Sequence, residues 1–157
     1  MLEVNLVADV LIAMLEGIKS KKQIKKYYDK YEEKFDDDIE KIGRQFDKVI
    51  ETIAAIYPEG LSETEFSRPH LFYSLFNSIT HCLYGLPGLS DTQFPLSISK
   101  DVETARNGLD RVGGIFEAGD LSKLSKEEQI FLQDCRRATT DETVRTRRTK
   151  YLLTLMT

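Results

Sequence analysis

The 157-residue sequence has no tryptophan, and its only cysteines, Cys82 and Cys135, lie far apart with no second cysteine beside either. That excludes a disulfide framework and any C-x-x-C redox or zinc site, and a reducing, cytoplasmic setting is expected. A strong excess of either sign of charge is also missing. Lysine and arginine number 22 against 26 acids, for a net charge of −4, so no global field draws the chain to nucleic acid or anionic lipid, and such binding has to be local. The N-terminus has no basic leader and carries Glu3, Asp9 and Glu16, which argues against a signal peptide. No segment shows sustained two-residue alternation between hairpin turns, and there is no internal repeat or low-complexity tract. Strands are therefore not expected.

Catalytic signatures are missing as well. There is no G-x-x-x-x-G-K-[ST], no G-x-G-x-x-G and no G-x-S-x-G. The only histidines, His70 and His81, fall about three turns apart on one expected helix, too far to share a metal ion. His81 and Cys82 are adjacent but point about 100° apart on that helix, so they form no dyad. No metal, no cofactor and no catalytic residue is expected, and the chain alone is read as no enzyme.

What the sequence does have is helical periodicity. Leu6, Val7, Val10, Leu11, Met14, Leu15 and Ile18 recur at three- and four-residue steps almost from the first residue. Such a start points to a fragment or split partner of a larger protein. A short second helix is expected over 21–35. The run Asp36, Asp37, Asp38 suits a helix start, and Ile39, Ile42, Phe46, Val49, Ile53 and Ile56 then mark a core-facing seam that ends at Tyr57-Pro58. Ser62-x-x-Glu65 is a candidate cap for one turn.

Residues 69–90 contain no Asp, Glu, Lys or Arg, so a central, covered helix is expected over 69–85, opened by Pro69 and closed by Gly85, Pro87 and Gly88. Its apolar run is shorter than the roughly 20 residues a membrane span requires. Phe72, Leu75, Phe76, Ile79 and Leu83 share one side, with Leu75, Phe76 and Ile79 expected among the most buried. His70, Ser74, Asn77 and His81 share the other, and form either a packed polar seam or a docking face. An irregular connection over 88–99 follows. Val102, Ala105, Leu109, Val112 and Phe116 predict a fifth helix, with Gly108 and Gly113 permitting close backbone approach. Ser125-x-x-Glu128 and Thr139-x-x-Glu142 announce the last two. The expected fold is all-α: one domain over 1–157, with about six or seven helices around the uncharged one.

The window 136–150 has a net charge of +4, leaving −8 for the remainder. Within it Arg136, Arg137, Arg145, Arg147 and Lys150 are candidates for phosphate or DNA contact, interleaved with threonines. An Asp141–Arg145 i,i+4 pair is the plainer alternative for one of them. Arg148 shares a face with Val144, Tyr151 and Leu155, so it is expected to turn inward to a buried ion pair or to a carbonyl. The lysines at 19, 21, 22, 25 and 26 read as a solvated face.

The stretches LVADVLIAMLEGI, IKKYYDKYEEKF, RPHLFYSLFNSITHCLYGLPG and CRRATTDETVRTRRTKYLL together resemble the C-terminal helical part of prokaryotic GmrS-like proteins. That resemblance implies a role in modification-dependent restriction or other anti-phage defence. It also implies partnership with an N-terminal ParB/sulfiredoxin-like domain or another defence subunit. The Asp-Gly-Gln-Gln-Arg motif of that N-terminal domain is absent here, as is an HNH signature, so neither nucleotide hydrolysis nor DNA cleavage carries over to any residue of this chain. The expectation is a non-catalytic helical module making interdomain or subunit contacts, with DNA contact through the C-terminal arginines. The alternative is a free-standing helical adaptor unrelated to DNA.

Overall fold

The computed structural model describes residues 4–89 and 97–157, and within them there are helices and no strand. The expected irregular connection at 88–99 lies mostly outside the described residues. Eight α-helices are described: α1 (Val4–Glu16), α2 (Ile24–Glu33), α3 (Ile39–Ile56), α4 (Pro69–Tyr84), α5 (Ile98–Leu109), α6 (Arg111–Glu117), α7 (Lys126–Asp134) and α8 (Glu142–Met156). Helix α4 is the axis, packed by α1, α3 and α8. Helix α5 leans on α3 and α8, and α7 covers α8 beyond it.

Local chemistry sets most boundaries. The Asp38 carboxylate caps α3 by accepting from the Lys41 amide at 3.0 Å. Pro69 opens α4, where its missing N–H costs nothing, and Gly85 closes it at φ 77. Ser125 and Glu128 complete the capping box of α7. At α8 the cap is Asp141, which accepts from the amides of Thr143 and Val144, so the Thr139-x-x-Glu142 reading misses the start by two residues. Thr64, not Ser62, caps the short turn before α4. The single fifth helix expected over 102–116 is two helices, α5 and α6, that meet at Asp110. Of the two glycines expected to allow close approach, Gly108 does so: a Cβ there would lie 1.7 Å from the Leu155 carbonyl oxygen. One at Gly113 would meet nothing within 4 Å.

Every residue of α4 from Leu71 to Cys82 is buried, with Leu75, Phe76 and Ile79 at 0% exposure. Covering the polar side requires partners for its hydroxyls. Ser74, Ser78 and Thr80 donate back to the carbonyls of His70, Ser74 and Phe76, one turn earlier in each case. Phe76 packs between Phe46 of α3 and Phe72, with ring centroids 5.2 and 6.1 Å away. Ile39, expected in the α3 seam, is instead 71% exposed. It sits in the first turn of α3, ahead of the part of that helix that reaches the core.

Candidate functional site

Two polar assemblies and one apolar groove hold the residues singled out above. The first assembly joins α1, α4 and α8 around Arg145. Its guanidinium grips the Asp9 carboxylate through two hydrogen bonds of 2.9 and 2.8 Å, donates to the Lys19 carbonyl at 2.8 Å, and lies 4.1 Å from the Tyr73 ring centroid. Arg145 and Asp9 are both buried. Arg145 is therefore corrected as a phosphate candidate: its charge is neutralised internally and no ligand reaches it. Nor does it pair with Asp141, whose carboxylate is used at the helix cap. Asp9 was missed as a partner, although a lone carboxylate in the run Leu6–Leu11 mirrors the lone arginines on the apolar face of α8 and signals the match.

The second assembly holds the turn between α7 and α8. Arg148, fully buried, donates to the carbonyls of Asp134 and Thr139 at 2.9 and 2.7 Å and to the Ser74 hydroxyl at 3.1 Å. It turns inward as expected, but the ion-pair reading is corrected, because its three acceptors are neutral. The planar fork of a guanidinium suits carbonyls that diverge from a turn, and burial pushes its pKa down. The Asp134 carboxylate is taken by Arg147 instead, at 2.8 and 2.7 Å, so Arg147 reaches solvent already paired. Between the two carbonyls held by Arg148 lies Ala138, at φ 49. That left-handed conformation is uncommon for a residue with a Cβ.

The polar stripe of α4 is a packed seam. Ser74, Asn77 and His81 are buried, and His81 Nδ1 accepts from the Leu86 amide at 3.1 Å. The Asn77 amide and Tyr73 hydroxyl sit together without a well-formed hydrogen bond. His70 is partly buried, and its pKa is pushed down to about 4 by burial, with Arg148 and Arg68 adding repulsion. Burial likewise pushes the Cys82 and Cys135 thiols up, to about 11 and about 12, which leaves both protonated and unreactive at neutral pH. The docking-face alternative for His70, Ser74, Asn77 and His81 is thereby corrected, since the seam presents almost nothing to solvent.

Of the five phosphate candidates, Arg136, Arg137 and Lys150 remain exposed with no ion pair among the described residues. Arg136 and Arg137 join Lys126, Gln129 and Gln133 around an open groove of about 510 Å³ over Leu121, Ile130 and Leu132.

A strongly apolar concavity among the described residues lies elsewhere, at residues the sequence reading assigned to no site. Ala8, Leu11, Ile12 and Leu15 of α1 form its floor, Tyr28 and Tyr31 of α2 with Phe35 form one wall, and Ile39, Ile42 and Gly43 of α3 form the other, around a volume of about 330 Å³. Helix α2 buries no residue at all. It is tethered by Glu16 of α1, which accepts from both the Tyr31 hydroxyl and the Lys30 ammonium. Burial and that carboxylate push the Tyr31 pKa up. Tyr28 and Ile39 stand 43% and 71% exposed on opposite sides of the groove.

Among the described residues no helix is long and apolar enough to cross a membrane, and no cluster of three or more His, Cys, Asp or Glu is placed to hold a metal ion. Compared with known proteins, the chain matches no protein-family model, no curated protein and no solved structure.

Proposed function

We propose that this chain is a non-catalytic helical interaction module that receives an apolar segment of a partner protein in the α1–α2–α3 groove. The groove itself carries the reading: ten apolar, aromatic or glycine residues from three helices and the turn between α2 and α3 face one concavity, and two of its large side chains stay exposed. Scattered exposed apolar residues are ordinary, but a contiguous apolar cleft is characteristic of recognition surfaces. The buried arginines account for the rest of the unusual chemistry as internal framework. Following the resemblance to GmrS-like proteins, the partner is an N-terminal ParB/sulfiredoxin-like domain or another subunit of a restriction-type defence system. DNA contact contracts to Arg136, Arg137 and Lys150, and is kept as a second contact because the open groove beside the two arginines is lined by no carboxylate that would repel phosphate.

Gly43 supplies the test. A Cβ added there meets nothing within 4 Å, so Gly43→Ala should fold at least as well as wild type, gaining about 0.5–1 kcal/mol from helix propensity. Gly43→Phe should fill the groove without entering the core. Co-expressed with the product of an adjacent reading frame that carries Asp-Gly-Gln-Gln-Arg, wild type is expected to copurify with it, Gly43→Ala to be retained more weakly, and Gly43→Phe to be lost from the complex. Retention of Gly43→Phe would move docking to another surface. A gene with no such neighbour would favour the free-standing adaptor.

A further inference from the structure

Resting on that docking reading, we propose that the groove's occupant is an amphipathic helix with a narrow apolar stripe and cationic flanks, crossing α3 at Gly43. Three features of the groove lead to this occupant. The first is the backbone. Nine of its ten lining residues sit in helices, whose interior amides are already used, so an extended segment lying in it would bury most of its own N–H and C=O groups without partners. A helix satisfies those groups internally and presents only side chains.

The second is Gly43 itself. A glycine inside a helix is destabilising relative to alanine, and such a position is retained for backbone freedom or for close approach. Gly108 shows the latter within this chain, where a Cβ would strike the Leu155 carbonyl oxygen. Gly43 is helical, exposed and unopposed. The close approach it permits is unused within the chain and available to an incoming helix.

The third is charge. From Asp29 to Asp47, the segment that carries most of the α2 and α3 walls, there are eight carboxylates (Asp29, Glu32, Glu33, Asp36, Asp37, Asp38, Glu40, Asp47) against four cations (Lys30, Lys34, Lys41, Arg44). Lys34 and Arg44 pair with Asp36 and Glu40, and Lys30 with Glu16, which leaves six of the eight carboxylates against Lys41. The lysine cluster at 19–26 precedes Tyr28, the first α2 residue to line the groove. The wall segment 29–47 is thus net acidic beside an apolar floor, and complementary flanks are cationic.

Four labelled peptides of about four helical turns test this. Three share a leucine stripe and differ in lysine, glutamate or glutamine flanks; the fourth is the lysine peptide with a central proline. Titrated against the full chain by fluorescence anisotropy, the lysine peptide is expected to bind about tenfold tighter than the glutamate one at low salt, with the gap closing at high salt. The proline peptide should lose binding, and Gly43→Phe should abolish it for every peptide. In a chain carrying Glu32→Lys, Glu33→Lys and Asp37→Lys, all exposed positions, the order should invert. Equal binding of the three flanks, or a glutamate preference in the wild-type chain, would overturn the cationic flanks and leave docking intact. Undiminished binding of the proline peptide would overturn the helix. If no peptide binds, the docking reading itself fails.

Discussion

Asp9→Ala should lower the unfolding free energy by about 3–5 kcal/mol, because it strands the Arg145 guanidinium in the interior. Both side chains are nearly inaccessible, at 5% and 6% exposure, and among the described residues the two hydrogen bonds between them are the only contacts Arg145 makes with a carboxylate. What remains after the substitution is the Lys19 carbonyl and the face of Tyr73, which cannot replace a charge. The pair itself need not be a net stabiliser. A chain carrying both Asp9→Leu and Arg145→Met should recover most of the loss, since matched apolar replacements also remove the desolvation cost. Denaturant titration of the two variants checks this. If Asp9→Ala loses less than about 1 kcal/mol, the α1–α8 junction is not organised by this pair.

Phe76→Ala should cost a comparable amount, about 3–5 kcal/mol, from lost transfer energy and the cavity left between α3 and α4. Phe76 is fully buried and touches the rings of Phe46 and Phe72, and because those rings belong to two helices they cannot both collapse into the vacated space. A loss below about 1 kcal/mol by the same titration would mean that α4 is not the axis of the core.

These two sites differ in how far the sequence discloses them. Phe76 lies in a stretch free of charge, and the absence alone marks the helix that must be covered on all sides. The seams and caps of α3, α4 and α7 were legible for the same reason, since their signals are local: Asp38, Pro69 and the Ser125–Glu128 box act within one turn. Helix α8 was only half legible. Its buried set mixes Val144, Leu152, Leu153 and Met156 with Arg145, Arg148 and Thr149, so no apolar stripe announces which way it faces. Arg148 was recognisable from its neighbours, but its acceptors were not, because the carbonyls of Asp134 and Thr139 come together only when the turn forms. The match of Arg145 to Asp9 spans 136 positions and depends on where α1 docks. The groove was the least legible feature. Ile39 satisfies the α3 period and yet stands in solvent, because the body of the protein ends before reaching it. Periodicity tells which residues share a face. It does not tell whether this chain or another covers that face.

Hydrogen exchange separates a face covered by this chain from one left open to a partner. Amide exchange of the full chain, followed with and without saturating lysine-flanked helix peptide, should slow over 8–15 and 39–43, with little change over 134–140. Protection confined to 134–140, or no slowing in the groove at a peptide concentration that binds, would contradict the placement of the docking surface between α1, α2 and α3.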